Sequence, residues 1–289
     1  MTQRTGFLRS WTSVVDEQTD CITPGPMAAL AATLDRDDPL PRRGDPLPPC
    51  WHWLYFLPGQ RQSELGEDGH PRRGTFLPPV PMPRRMWAGS QVQFHRALHV
   101  GEIVSRTSRV IDVTEKRGSS GPLAFVLVRH EIRDEGGLAV TENQEIVYRN
   151  GASPGESRVK ALAPVDHVWL RDIYTDEALL FRYSALTFNA HRIHYDRRYA
   201  TDFEGYRGLV VQAPLTATLL LELVRQNLPA ARVADFSFRA VQPLFDTAGF
   251  SVCGRPEDDG KTLRLWAKDC EGRLAMAATA TVAYDKQAA

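Results

Sequence analysis

Between Ser184 and Ala200 the chain reads SALTFNAHRIHYDRRYA, which places two histidines, an asparagine, an arginine and an aspartate within eight residues. Histidine is the side chain whose ordinary pKa lies closest to neutrality. His191 and His194, three residues apart and preceded by the amide of Asn189, therefore form a candidate acid–base pair. Two structural histidines are the plain alternative. Asp196 is placed to cap a helix over Arg197 to Ala200 by accepting from its first free amides. A metal site built on His191, His194 and Asp196 would need a further ligand, and no distant Cys, His or Glu motif supplies one. A serine hydrolase is disfavoured too, because the chain has no GxSxG stretch.

The stretch GYRGLVVQAPLTATLL follows this cluster. Pro214 to Gln226 is a helix pattern that is apolar around most of its circumference, and such a helix has to be enclosed. Gly208 to Ala213 runs into its N-terminus, where unpaired backbone amides and the positive end of the helix dipole collect. A thioester carbonyl placed there would be polarised, as enolate-forming chemistry requires. Histidines beside such a helix end point to reactions alpha and beta to a carbonyl.

The remaining elements have to position these groups. With 289 residues, 43% hydrophobic and 24% charged, the chain can bury one large core or two modest ones, and two domains are expected. Lys+Arg and Asp+Glu are both 35, with no basic stripe, which argues against nucleic acid as a partner. No stretch is long and apolar enough to span a bilayer, and the N-terminus has no apolar signal core, so a cytoplasmic protein is expected. Four scattered cysteines without a CxxC pair suit a reducing compartment.

In chain order, residues 7–20 suggest a short amphipathic helix, and Met27 to Leu34 a buried one behind Pro24 and Pro26. CWHWLYFLP, from Cys50 to Pro58, reads as a strand. Gly59 to Gly89 is a long proline- and glycine-rich excursion carrying His70, Arg72, Arg73, Arg84 and Arg85, where the arginines are either solvated loop charges or an anion clamp for phosphate or carboxylate. Gln91 to Val147 alternates as strands, with turns at Lys116 to Pro122 and Asp134 to Gly137. Residues 1–150 are thus expected to form one domain, 151–163 a linker and 164–289 a second domain. Leu179 to Leu186 is a strand or short helix, and after the enclosed helix strands return, with turns near Asp246 to Gly249, Asp258 to Gly260 and Asp269 to Gly272. Each half reads as a buried helix followed by an antiparallel sheet.

FNAHRIHYD, preceded by SALT and followed by RRYA and GYRGLVVQAPLTATLL, resembles the MaoC-like hydratases of hot-dog fold. CWHWLYFLP, DGHPRRG and FLPPVPMPRRMWAG are similar to their two-domain branch, which includes mesaconyl-C4-CoA and itaconyl-CoA hydratases and mitochondrial 3-hydroxyacyl-thioester dehydratases. The resemblance implies an α+β double hot dog, two antiparallel sheets each wrapped around a long central helix, with the site in the C-terminal half. It implies hydration of a short branched dicarboxylic enoyl-CoA. The alternatives are a fatty-acid or polyketide type dehydratase and a non-catalytic acyl-thioester-binding protein.

The family's motif carries an aspartate five residues before its catalytic histidine. Here Asn189 stands at that position relative to His194, so the acid–base work is expected to fall to His194 and His191, with Asn189 orienting water or substrate. Gly208, Gln212 and Ala213 are expected at the thioester, and Arg192, then Arg72 and Arg73, at the free carboxylate of the acyl group, with a structural brace of the loop as the equal alternative for Arg192. No metal or redox cofactor is implied, coenzyme A being part of the substrate. The only protein partner expected is a second copy, as a homodimer.

Overall fold

The computed structural model describes residues 10–118, 121–150 and 161–284. Five strands precede residue 150: β1 (Val15–Cys21), β2 (Arg84–Phe94), β3 (Ile103–Gly118), β4 (Gly121–Asp134) and β5 (Gly137–Arg149). Five follow residue 161: β6 (Trp169–Ile173), β7 (Arg232–Ala240), β8 (Phe250–Pro256), β9 (Thr262–Asp269) and β10 (Leu274–Ala283). They form one antiparallel sheet in the order β1-β3-β4-β5-β2-β7-β10-β9-β8-β6. The two halves meet edge to edge where β2 pairs with β7, from Gly89 opposite Arg239 to Gln93 opposite Asp235. This is the double hot-dog architecture. Among the described residues the pairing leaves β1 and β6 as the sheet edges.

Among the described residues three α-helices accompany the sheet: α1 (Pro24–Thr33), α2 (Glu177–Leu186) and α3 (Ala213–Asn227). Leu215 to Val224 of α3 is buried without interruption, against β6, β8, β9 and β2. Leu215, Leu220 and Leu223 each have 2% exposure or less. Burial of such a side chain is worth roughly 1.5–3 kcal/mol, which holds the helix inside the C-terminal half of the sheet. Glu222 also lies in this buried stretch, and Arg36 meets it at 2.7 Å, tying the chain beyond α1 to α3. Arg225 meets the other oxygen at 2.9 Å, and a buried carboxylate without such partners would be strongly destabilising.

The N-terminal half is covered differently. α1 has ten residues and packs on α2 and on the turn at Trp51–Leu54. It does not reach the far end of β3, β4 and β5. There Val110, Val126 and Val128, all at 0% exposure, are covered by Val80 and Met82, with Phe76 and Leu77 beside them. The long proline-rich excursion thus completes the core where a helix runs out. Arg73 fixes its course by donating to the carbonyls of Val80, Met82 and Pro83.

Three expected elements take another form. In place of a helix over 7–20, the described part is a short 3-10 turn (Ser10–Ser13) and then β1, whose alternating exposure fits its pairing with β3. Residues 1–9 lie outside the described residues. Cys50 to Pro58 is a 3-10 turn over Trp51–Leu54, with Cys50 in the left-handed region at φ 66. Prolines at 48, 49 and 58 bound it, and its aromatic content reflects burial rather than extension. Leu179 to Leu186 belongs to helix α2, capped by Asp176, whose side chain accepts from the Leu179 amide at 2.8 Å. Of the linker over 151–163, residues 151–160 lie outside the described residues, while Leu162 bridges to Arg273 and Ala163 is buried.

Candidate active site

The segment from Asn189 to Asp196 leaves α2 through Phe188, which is held at φ 50. Side chains and backbone shape it in turn. Asn189 Oδ1 accepts from the His191 amide at 3.1 Å, so the asparagine closes a local turn. A 3-10 turn follows over Arg192–His194. The Val210 amide donates to the Ile193 carbonyl at 3.0 Å, and His194 Nδ1 lies 2.7 Å from the Val210 carbonyl. A carbonyl can only accept, so Nδ1 carries the proton and Nε2 is left with its lone pair. His194 is 8% exposed and lines the main cavity.

That cavity, of about 1080 Å³, runs between the two halves. His191, Asn189 and Ala213 line it together with His194. The rings of His191 and His194 are perpendicular, with centroids 5.4 Å apart. Ala213 is the first residue of α3, so its amide stands at the helix end where amides have no intrahelical carbonyl.

A third histidine comes from the N-terminal half. His70 lines the same cavity, and its ring lies 4.0 Å from that of His191, tilted by 37°. Its Nδ1 is 3.1 Å from Asp68 Oδ2, and its amide donates to Asp68 Oδ1 at 3.0 Å. The carboxylate thus fixes Nδ1 as the protonated nitrogen and leaves Nε2 free, as Val210 does for His194. The loop carrying this pair is docked by backbone contacts. The Arg192 amide donates to the Asp68 carbonyl at 2.9 Å, and Arg192 Nη1 to the Glu67 carbonyl at 3.0 Å. Gly69, at φ +85, lies so close that a Cβ there would stand 1.8 Å from the Ala190 oxygen.

Electrostatics keep all three imidazoles neutral. Burial pushes His194 down to about 4. Burial and then the Arg85 charge bring His70 to about 4, against the pull of Asp68. His191 is driven far lower by burial and by the His70, His194 and Arg85 charges. Neutral imidazoles whose Nε2 is left free, as in His194 and His70, are proton acceptors at neutral pH.

Several expected site residues fall elsewhere. Arg192 is a brace: Nε and Nη2 donate to Asp196 Oδ2 at 3.0 and 2.7 Å, and the guanidinium lies 4.3 Å over the Tyr199 ring. Asp196 Oδ1 accepts from the Tyr199 amide, the expected capping role, so the ligand set His191, His194 and Asp196 is not assembled. Gln212 is fully buried and donates to the Leu180 carbonyl and Ser184 Oγ, which joins α3 to α2 and turns its side chain away from substrate. Gly208 is buried against Asp246 and Thr247. Arg73 is spent on the loop carbonyls, whereas Arg72 lines the cavity mouth and is exposed.

Asp68 and His70 are functional candidates that spacing alone does not reveal. The signal available is DGHPRRG, a histidine flanked by glycine and proline in a long loop. Asp68, His70 and His191 bring donor atoms within 4.8 Å of one another, a set able to approach a cation. The positive charge of Arg85 beside them opposes that use.

At its other end the cavity is polar. Asp16, Ser108, His130 and Glu142 line up in register across β1, β3, β4 and β5. Glu142 is 2% exposed and receives Ser90 Oγ at 2.6 Å, with His52 and Trp53 at 3.0 Å. Burial alone would raise its pKa. The His52 and Ser90 hydrogen bonds and the neighbouring histidine charges outweigh it and hold the carboxyl at about 2.

Residues 50–246 match the family model for hydroxyacyl-thioester dehydratase type 2. The chain is 45% identical to a mesaconyl-C(4)-CoA hydratase from Chloroflexus aurantiacus, over 93% of this chain and 96% of the other. It is 29% identical to a mitochondrial hydroxyacyl-thioester dehydratase type 2 from Schizosaccharomyces pombe, over 81% of this chain and 88% of that one. A solved MaoC-like dehydratase has the same fold, with a TM-score of 0.72 and 13% identity, over 96% of this chain and all of the other.

Proposed function

The chain belongs to the hydroxyacyl-thioester dehydratase type 2 family, whose members are hydro-lyases, and from that premise we propose that it hydrates a short branched dicarboxylic enoyl-CoA, such as mesaconyl-C4-CoA or itaconyl-CoA. The observation that carries the catalytic reading is His194. The Val210 carbonyl holds its Nδ1–H, burial keeps the ring neutral, and Nε2 faces a cavity closed at one side by the N-terminus of α3.

In this mechanism His194 Nε2 takes a proton from water as the water oxygen bonds to the β carbon. The electron pair of the double bond moves to the thioester, and the enolate oxygen is received at the Ala213 amide and the positive end of α3. The imidazolium then returns the proton to the α carbon. Water has been added across the bond and His194 is neutral again. The same steps reversed eliminate water.

His70 takes the place of the carboxylate that related motifs have at position 189. With Nδ1 held by Asp68, its Nε2 accepts a hydrogen bond from the attacking water, and His191 packs between the two working rings. Asn189 shapes the loop through the His191 amide. The substrate assignment draws support from the identity to the mesaconyl-C(4)-CoA hydratase. A cytoplasmic location and a homodimer complete the proposal. The cysteines are free, and among the described residues no helix is long and apolar enough to cross a membrane.

A panel of mesaconyl-C4-CoA, itaconyl-CoA and crotonyl-CoA, followed by product mass and, for the two α,β-unsaturated thioesters, by loss of the enoyl-thioester absorbance, tests the function. The expected result is fastest loss on a dicarboxylic substrate, with a product one water heavier. Preference for a long-chain thioester would favour the fatty-acid type dehydratase, and no turnover of any thioester would favour the binding protein.

A further inference from the structure

A guanidinium withdrawn from water needs an anion or several acceptors, because an unpaired charge loses its hydration without return. Arg85 on β2 is half-buried, lines the cavity, and takes part in none of the ion pairs among the described residues. Its strand neighbour Arg84 pairs with Glu204 at 2.8 Å. The acid beside it, Asp68, has both oxygens engaged by His70.

The other arginines near the cavity are occupied or misplaced. Arg192 belongs to Asp196, and Arg73 to the loop carbonyls. Arg106 donates to Gln18, stands over Phe56 and lies among the charges of Asp16, Glu142 and Asp20, which repel a carboxylate. Arg72 is exposed. Among the described residues, Arg85 is the one arginine whose charge is felt at both His70 and His191.

We propose that Arg85 is the receptor for a free carboxylate on the acyl group, which makes the substrate class a dicarboxylic enoyl thioester. The inference rests on the hydratase reading and adds to it the residue that selects the substrate. The planar guanidinium meets a carboxylate through two parallel N–H···O bonds, a geometry that lysine cannot reproduce. Held there, the carboxylate sits at the end of the cavity occupied by the histidines, and the reacting double bond, whose β carbon bears that carboxylate in mesaconyl-C4-CoA, is delivered to His194. A monocarboxylic thioester leaves the cation with only the nearby Asp68 charge and the Tyr148 hydroxyl, so selectivity comes from the incompletely matched charge as well as from the bond formed.

The test compares kcat/KM for mesaconyl-C4-CoA and crotonyl-CoA in the wild type, Arg85→Gln and Arg85→Lys. The wild type is expected to favour the dicarboxylic substrate. Arg85→Gln should lower that ratio about 10- to 100-fold, the loss of a charge-assisted bidentate contact, and Arg85→Lys should fall between. A merely structural role would depress both substrates alike and leave the ratio unchanged. A ratio within about threefold of wild type in Arg85→Gln, or a wild type that favours crotonyl-CoA, overturns the assignment. If Arg85→Gln fails to fold, the Arg85→Lys ratio decides by the same criterion. A wild type that hydrates neither thioester refutes the hydratase reading itself, a result distinct from any change in ratio.

Discussion

Gly69→Ala separates the docking of the N-terminal loop from every other feature of the site. An alanine Cβ would stand 1.8 Å from the Ala190 oxygen, and real Cβ contacts stay beyond 3.0 Å, so the two loops must part by about 1.2 Å. That displacement stretches the Arg192-to-Asp68 backbone bond, now 2.9 Å, and draws His70 away from His191. Losing one such bond costs about 1 kcal/mol, and holding alanine at φ +85 roughly 1–2 kcal/mol more. A shift of about 1 Å at reacting groups lowers turnover on the order of 100-fold. Gly74→Ala supplies the control. It lies in the same excursion at φ +93, but its nearest Cβ contact is an ordinary 3.7 Å to Pro79, so it carries the backbone strain without the clash. Initial rates of enoyl-thioester loss and thermal melts of both variants make the assay. The expected pattern is a melting loss of a few degrees in both variants, the larger in Gly69→Ala, with turnover collapsing only in Gly69→Ala. Equal turnover in the two variants would refute the composite site.

Other perturbations probe the site from different directions. Because His194 must be neutral to accept a proton and is held at about 4, kcat should rise as pH rises through about 4 and be level near neutrality; a titration centred near 6.5 would contradict the burial argument. His70, His130 and His194 each sit at about 4 against an ordinary 6.5, so the unfolded chain binds protons that the fold refuses. This contribution, roughly 3 kcal/mol per histidine, is present above pH 6.5 and lost as pH falls from 6.5 through 4. A melting temperature that stays flat over that interval would count against it. Asn189→Asp keeps the acceptor for the His191 amide and brings a carboxylate near the histidines. Turnover within about tenfold of wild type is expected, with the acid limb moved to higher pH; an unmoved limb would show that position 189 does not face the acid–base groups.

The sequence made the local parts of the site legible. Histidine spacing, the Asp196 cap and the enclosed helix behind Ala213 all depend on residues within one or two turns of each other. The same locality favours the bracing alternative for Arg192, because its partner Asp196 lies four residues on, the spacing of a helical ion pair. Asp68 and His70 reach the site across more than a hundred residues, through a contact that needs a glycine in the left-handed region, and no periodicity encodes that. Arg84 and Arg85 are adjacent and identical in type, and only the strand pleat decides that one meets Glu204 while the other lines the cavity. In Cys50 to Pro58, aromatic content reports burial, and tertiary packing overrides strand propensity.

The account stands most directly on His194 as the group that moves the proton. His194→Ala should retain the wild-type fold and melting behaviour within a few degrees while losing about 10²- to 10⁴-fold in turnover of mesaconyl-C4-CoA, followed as loss of the enoyl-thioester absorbance. Turnover within a few fold of wild type in a folded His194→Ala protein would contradict the mechanism.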